Sequence, residues 1–214
     1  MAKVKKKQSG RNEGGIMGAS HIPYAQRIKM QQTNRITVNR QQSAKVAMFC
    51  NCVAMHEIKG VGYKKLVEFS LRYKEVEDEI YEDLEYGMDK AKRRMEQMGM
   101  PISGELYTVP VLGLTKLEQQ VHDHALQAAQ ISLIAGAIAM NDVLGYGKTV
   151  QERISQRSME ISGKYNKKGM PWLLEEMEKI GFLIVDGEVR AFLDDDGKAV
   201  TPARARKEGY PDTQ

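Results

Sequence analysis

Apolar side chains recur every three or four residues between residues 66 and 98. Such spacing places them on one face of an α-helix. Gly99 and Pro101 follow the pattern, and both residue types favour the end of a helix. We therefore predict one continuous helix of about nine turns, with charged residues on its other faces. The apolar positions are Leu66, Phe69, Tyr73, Val76, Ile80, Leu84, Met88, Ala91, Met95 and Met98.

A second helix is predicted from Thr115, a suitable N-cap residue, to Val143. Its last part, residues 131–140, is apolar on nearly every face, which favours a central and fully buried helix. Ten residues are far fewer than the roughly 20 that a membrane-spanning helix needs. Upstream of residue 66, we predict a short helix over 22–32, in which Pro23 suits the first turn. A further helix, capped by Thr37 or Asn39, is predicted to run to Ile58.

The chain contains an internal repeat with a spacing of 85 residues. Residues 54–62 read AMHEIKGVG, and residues 139–147 read AMNDVLGYG. The similarity extends to Val46 and Ile131 upstream, and to residues 95–99 and 177–181 downstream after a three-residue deletion. We therefore predict a duplicated helical hairpin, in which a helix, a Gly-x-Gly turn and a long helix occur twice. The residues that define the turns are His56, Glu57, Gly60, Gly62, Asn141, Asp142, Gly145 and Gly147.

The Gly-x-Gly turns do not resemble a dinucleotide-binding loop, because no predicted strand precedes them and the third glycine is missing. The glycines are better explained by a sharp turn between two closely packed helices. The polar–acidic pairs allow two interpretations. Each pair can hydrogen-bond its own turn, where backbone groups lack helical partners. Alternatively, the two pairs can line one shared site across an approximate twofold.

The C-terminal third is predicted to end in a β-hairpin. A helix over 148–164 is interrupted at 165–169, and Pro171 opens a short helix to Ile180. Asp186-Gly187 separates two β-prone runs, which is a strong signal for a two-residue hairpin anchored by Trp172 and Phe182. Asp194 to Gly197 predict a further turn. The tail from Thr201 is predicted to be polar and loose, and the 100–114 linker to hold a short strand at 106–109.

The predicted fold is therefore mainly α, a helical bundle of duplicated hairpins with a small C-terminal β-hairpin. Residues 1–21 form a basic, glycine-rich arm. Residues 22–103 form the first repeat, and residues 104–214 form the second repeat with the hairpin and tail.

Composition adds one asymmetry to an ordinary globular profile of 42% hydrophobic and 28% charged residues. The first 45 residues contain ten Lys or Arg and one acid, a balance of +9, which leaves −5 for the remainder because the whole chain carries +4. Acidic residues concentrate between Glu75 and Glu85. A basic arm with few bulky apolar residues is expected to be mobile, and it either binds polyanions or serves as a solubilising tail.

The 13 methionines suit either loosely specified helix packing or a promiscuous binding surface.

The sequence offers little catalytic or metal chemistry. Cys50 and Cys52 lie two apart in a predicted helix, where they cannot face each other, so we expect free buried thiols. His122 and His124 point in different directions for the same reason and cannot jointly bind zinc. The hairpin resembles the wing of a winged-helix domain in outline, but the helix before it is acidic rather than basic. We predict a protein that is not an enzyme and that requires no metal or cofactor.

The run from Ala137 to Lys148 resembles a motif of small helical proteins from Firmicutes phages and prophages. In that motif an apolar helix leads into an acidic residue, a Gly-aromatic-Gly turn and a basic residue. The first repeat carries the motif as HEIKGVGYK over residues 56–64, with Val61 in place of the aromatic residue. The resemblance covers the two repeat cores and implies a phage origin.

The leading functional prediction is an accessory protein that binds nucleic acid or a nucleoprotein complex through phosphate contacts. The alternative is a regulator that binds a host protein through the acidic and methionine-rich helical surface. No signal peptide or membrane span is recognised, which favours the cytoplasm of the host cell, and a homo-oligomer is allowed. The predicted nucleic-acid contacts are Lys3, Lys5, Lys6, Lys7, Arg11, Arg27, Lys29, Arg35 and Arg40.

Overall fold

The computed structural model describes residues 24–102, 113, 115–209 and 212–213. Within these residues the chain is mainly helical, with a small antiparallel sheet near its C-terminus, as the sequence predicts. The helices are α1 Tyr24–Lys59, α2 Tyr63–Glu82, α3 Leu84–Gln97, α4 Lys116–Leu144, α5 Lys148–Lys179 and α6 Pro202–Glu208. The strands are β1 Leu183–Val185, β2 Glu188–Leu193, β3 Ala199–Val200 and β4 Asp212–Thr213.

The two repeats exchange their second helices. The first helices, α1 and α4, pack against each other, while α2 packs on α4 and α5 packs on α1. The second helix of each repeat therefore covers the first helix of the other. The shared interior excludes water from both predicted apolar stripes, because burial of apolar surface drives helix association. Its largest fully buried side chains include Phe49, Phe69, Tyr73, Ile131 and Ile154.

The two Gly-x-Gly turns adopt the same backbone conformation. Gly60 has φ 63° and Gly145 has φ 66°, in the left-handed region that favours glycine. Gly62 and Gly147 are extended and serve as the N-caps of α2 and α5. The predicted pair of equivalent turns is therefore present in the structure.

The N-terminal part of the first repeat differs from the prediction. Residues 24–59 form one helix, so the break between the helices predicted over 22–32 and up to Ile58 is wrong. Thr37 and Asn39 lie inside α1 and do not cap it. Such residues favour N-caps, but no glycine or proline lies between residues 24 and 59 to end the helix.

The long apolar stripe belongs to two helices rather than one. Asp83 has an extended backbone (φ −139°), and its side chain accepts a hydrogen bond from the Tyr86 amide at 3.1 Å, which caps α3. Gly87 lies against the backbone of α2, where a β-carbon would stand 2.6 Å from the Ile80 Cα. The prediction of one continuous helix is wrong because the apolar period continues in phase across the break.

The second repeat breaks at the corresponding place. Gly169 alone in α5 is non-helical, with φ 80° and ψ −177°. The predicted interruption over 165–169 is therefore confined to its last residue, and the helix continues to Lys168. Position 169 corresponds to position 84, directly after Asp83. The expectation that only the second repeat is interrupted is wrong, since both repeats bend at equivalent positions.

The C-terminal hairpin forms as predicted. β1 pairs with β2 in antiparallel register, with Val185 opposite Glu188. Asp186 (φ 52°) and Gly187 (φ 78°) both have positive φ, as a two-residue type I′ turn requires. The Phe182 ring packs edge-on against Tyr63, with centroids 5.1 Å apart. The hairpin is thereby attached to the start of α2, while Trp172 is half-buried on α5.

Residues 202–209 and 212–213 of the tail form a helix and a strand, contrary to the prediction of a loose segment. α6 begins at Pro202, a favourable first helical residue, and buries Ala205. β4 then pairs with β2, so β2 has three strand partners. The predicted strand at 106–109 lies outside the described residues.

Candidate functional site

The polar residue of each Gly-x-Gly turn hydrogen-bonds its own turn. His56 Nδ1 donates to the Val61 carbonyl oxygen at 3.0 Å, and Asn141 Nδ2 donates to the Tyr146 carbonyl oxygen at 3.3 Å. Each bond spans five residues and reaches the middle residue of the turn. His56 and Asn141 thus satisfy backbone groups that the end of a helix leaves unpaired.

The acidic residue of each turn binds an arginine of the opposite repeat. Arg157 Nε donates to Glu57 at 2.6 Å, and Arg72 Nε donates to Asp142 at 3.0 Å. The two arginines are themselves 85 residues apart. Glu57 and Asp142 therefore form two equivalent ion pairs with different arginines, rather than converging on one common group.

The cluster around Asp142 is larger than its counterpart. Asp142 also accepts a hydrogen bond from Arg94 of α3, and Glu79 binds Lys90 at 2.6 Å and Arg72 at 3.3 Å. The Lys90 hydrogen bond is the main cause that lowers the pKa of Glu79. These residues line a cavity of about 400 Å³ between α2, α3 and α4. After the three-residue deletion, the position of Arg94 corresponds to Glu176, so the second repeat cannot form this extension.

Sequence reasoning identified the acids but missed Arg72 and Arg157. The repeat alignment contains the signal, because an arginine followed by glutamate three residues later occurs at 72–75 and again at 157–160. In the structure each arginine also binds that glutamate. Extending the alignment beyond the turns would have paired the two arginines, although not with their partners across the interface.

A second cavity, of about 440 Å³, lies between α1, α2 and the hairpin. Glu77 lines it, and burial raises the pKa of this carboxyl despite a hydrogen bond from the Ser132 hydroxyl at 3.2 Å. Lys45 and Glu188 form a salt bridge that connects α1 to the hairpin.

The predicted nucleic-acid contacts fall into three groups. Lys3, Lys5, Lys6, Lys7 and Arg11 lie outside the described residues. Arg27, Lys29 and Arg35 fall within α1. Arg40 is half-buried, and its guanidinium carbon lies 3.8 Å from the centroid of the Tyr81 ring. A cation–π contact of this kind holds Arg40 against α2, so it is the weakest candidate of the set for phosphate contact.

The first helices of the two repeats differ in charge outside the core. Among the side chains that the structure describes, burial begins at Ala44 in α1 and at Ala128 in α4. Before Ala44, residues 24–43 of α1 contain four basic residues and no acid. The equivalent positions are 109–128, of which α4 covers 116–128, and they contain Glu118, Asp123 and one basic residue, Lys116. The second repeat therefore has no basic stretch at the corresponding place.

The described residues contain no cluster of three or more His, Cys, Asp or Glu side chains that could hold a metal ion. Cys50 and Cys52 are free and buried, as predicted, and burial raises the pKa of each thiol to about 12. Thiolates are the reactive form, so neither cysteine is suited to act as a nucleophile at neutral pH.

In the part of the chain that the structure describes, no helix combines the length and the apolar character that a membrane crossing requires. Comparison with protein-family models, with curated proteins and with solved structures gives no match to this chain.

Proposed function

We propose that the chain binds nucleic acid, alone or in a nucleoprotein complex, through the basic residues that precede the helical core. The segment runs from Lys3 to Arg35 and contacts phosphates without reading base sequence. The resemblance of residues 137–148 to phage proteins extends the proposal to a phage-type accessory role in the host cytoplasm. No catalytic step is part of the proposed role.

The observation that carries this proposal is the acid-free half of α1. Residues 24–43 are helical and contain four basic residues and no acid, and they precede Ala44, the first buried residue among the α1 side chains that the structure describes. The equivalent part of α4, residues 116–127, is shorter and carries one basic residue, Lys116, against the two acids Glu118 and Asp123. A solubilising role would not favour one of two equivalent helices, whereas recognition of a polyanion requires positive charge at one defined place.

The test is a salt titration of binding to a fluorescently labelled duplex of random sequence. Each neutralised phosphate contributes about −0.9 to the slope of log affinity against log salt, so about eight contacts give a slope near −7. The triple variant R27Q/K29Q/R35Q should make the slope shallower by about 2.7. All three positions precede Ala44, the first described buried residue of α1.

The matched control is R153Q/K164Q/K207Q, which removes three exposed charges from α5 and α6. Both triple variants lower the net charge by three, so a general effect of charge would change both slopes equally. The proposal predicts that only the α1 variant changes the slope. A wild-type slope no steeper than about −1 would contradict nucleic-acid binding of this kind.

A second candidate function is binding of a basic protein segment at the bend between α2 and α3. Leu84 and Tyr86 are exposed there by 41% and 69%, next to the exposed acids Glu82 and Glu85. Glu75 and Glu79, also acids of this region, are already paired with Arg72 and Lys90. The bend is therefore the part of the acidic surface best suited to a protein partner.

A pull-down from host lysate with and without nuclease separates the two functions. Partners that disappear after nuclease treatment favour nucleic-acid binding. Partners that remain after nuclease treatment, and that are lost with E82K/E85K, favour the protein-binding alternative. Retention of those partners by E82K/E85K would count against the acidic bend.

A further inference from the structure

The cavity between α2, α3 and α4 combines an apolar floor with a charged wall. Val76, Ile80, Ala91 and Ile138 form the floor, and each of them is buried. Four basic and three acidic side chains line the wall, a balance of +1. The volume of about 400 Å³ falls within the range usual for small-molecule sites. Such sites are mostly apolar and carry a few polar groups that orient the ligand.

Two neighbouring arginines of α3 provide the cavity wall with hydrogen-bond donors. Arg94 donates from Nη2 to Asp142, while its Nε and Nη1 make no hydrogen bond within the described residues. Arg93 also lines the cavity, and it forms no ion pair in this part of the chain. Guanidinium groups bind phosphate oxygens through parallel charge-assisted hydrogen bonds. The wall is therefore suited to an anionic group of this kind.

This arginine pair occurs in the first repeat alone. After the three-residue deletion, the counterparts of Arg93 and Arg94 are Glu175 and Glu176. The second repeat thus carries two acids where the cavity wall of the first repeat carries two cations.

Three exposed side chains follow one another along the α3 face of the cavity. Tyr86, Asp89 and Arg93 are spaced three and four residues apart, so they share one face of the helix. Tyr86 is 69% exposed, and Asp89 forms no ion pair among the described residues. Tyr86 and Arg93 lie ~10.5 Å apart along the helix axis, with Asp89 between them. The face therefore presents an aromatic ring, a carboxylate and a guanidinium in this order.

We propose that this cavity binds a nucleoside monophosphate, either free or as the 5′-terminal nucleotide of a strand. The base stacks on Tyr86, the ribose hydroxyls donate to Asp89, and the phosphate accepts hydrogen bonds from Arg93 and Arg94. The order of base, sugar and phosphate in the ligand matches the order of the side chains on α3. The residues that bind the ligand belong to α3 and not to the basic half of α1.

Isothermal titration calorimetry of the full chain with AMP tests the proposal. We expect a Kd of roughly 10–100 µM, the affinity usual for a ligand of this size. Adenosine and inorganic phosphate each carry part of the ligand and should bind at least about tenfold more weakly. Equal binding of inorganic phosphate and AMP would overturn the proposal, because the base would then contribute nothing.

Two variants with matched controls test the named contacts. R93Q should weaken AMP binding about tenfold, the usual effect of losing a charge-assisted hydrogen bond. K92Q removes the same charge from the preceding residue, which does not line the cavity, and should leave binding unchanged. Y86A should weaken binding about fivefold through loss of stacking, whereas L84A should have no effect. Equal losses in a variant and its control would overturn the proposed contacts.

A single-stranded octamer with and without a 5′-phosphate distinguishes the two sources of the ligand. Tighter binding of the phosphorylated octamer, lost in R93Q, assigns the site to a strand end, and equal binding of the two octamers assigns it to the free nucleotide. R27Q/K29Q/R35Q should bind AMP as wild type does, so the site is tested independently of nucleic-acid binding by α1. No detectable binding of AMP at ~2 mM would overturn the proposal.

Discussion

Asn51 and Gly136 occupy equivalent positions, 85 residues apart, and lie against each other where α1 crosses α4. A β-carbon on Gly136 would stand 3.0 Å from Asn51 Nδ2. A residue can contact its own counterpart only at a twofold axis, so this contact places the approximate axis of the duplicated unit. The exchange of second helices and the reciprocal arginine–acid pairs follow from the same symmetry.

The contact at the axis predicts coupling between Asn51 and Gly136. Gly136→Ala should cost about 1 kcal/mol of the free energy of unfolding, because the new methyl group crowds the Asn51 amide. In an N51A background the same change should be neutral or stabilising by up to ~1 kcal/mol, since alanine favours helix more than glycine does. Urea denaturation of the four proteins measures this cycle. Additive effects of the two changes would contradict direct contact.

The Gly-x-Gly turns predict a matched pattern of alanine substitutions. Gly60→Ala and Gly145→Ala should each destabilise the protein by about 1–2 kcal/mol, because both positions have a left-handed backbone. Gly62→Ala and Gly147→Ala should cost less, since neither glycine has positive φ and both have open space around the β-carbon position. Thermal unfolding of the four variants checks this order. Unequal effects within either pair would argue against equivalent turns.

The two arginine–acid pairs should differ in strength. The Asp142 side chain is 18% exposed and binds two arginines, whereas the Glu57 side chain is 37% exposed and binds Arg157. Asp142→Ala should therefore cost ~1–3 kcal/mol of the free energy of unfolding, as loss of a largely buried charge partner does. Glu57→Ala should cost below about 1 kcal/mol, the usual range for an exposed pair. Denaturant titration at low and high salt measures both, and a larger cost for Glu57→Ala would refute the comparison.

Glu77 gives a prediction for the pH dependence of stability. Burial raises the pKa of this carboxyl above the ordinary value of 4.5 in the folded state. Its contribution to stability is therefore fully present below the unfolded pKa and is lost as pH rises through the folded pKa. Glu77→Gln keeps an oxygen that can accept the Ser132 hydrogen bond and removes the buried charge. Its melting temperature should exceed that of wild type at pH 7, and the difference should disappear below about pH 4.

The repeat could be predicted from sequence because both copies keep the residue types that each turn requires. Each turn requires a glycine with a left-handed backbone, Gly60 or Gly145, and a polar side chain that hydrogen-bonds the turn carbonyl. Few other residue types meet these requirements. The exchange of α2 and α5 between the repeats could not be predicted, since an apolar stripe shows that a helix is buried but not against which neighbour. The break at Asp83 could not be predicted either, because the apolar stripe stays in phase across it. The sequence shows that positions 72 and 157 are arginines, but which acid Arg72 and Arg157 each bind depends on the fold.

The most direct test of the duplicated fold compares two distances between spin labels by double electron–electron resonance. Lys64 and Thr149 are equivalent exposed positions, and the half-buried Glu68 is equivalent to the exposed Arg153. The distance from residue 64 to residue 153 must then equal the distance from residue 149 to residue 68. We predict coincident distance distributions for the two labelled proteins. Mean distances that differ by more than one helical turn, about 5.4 Å, would contradict the approximate twofold.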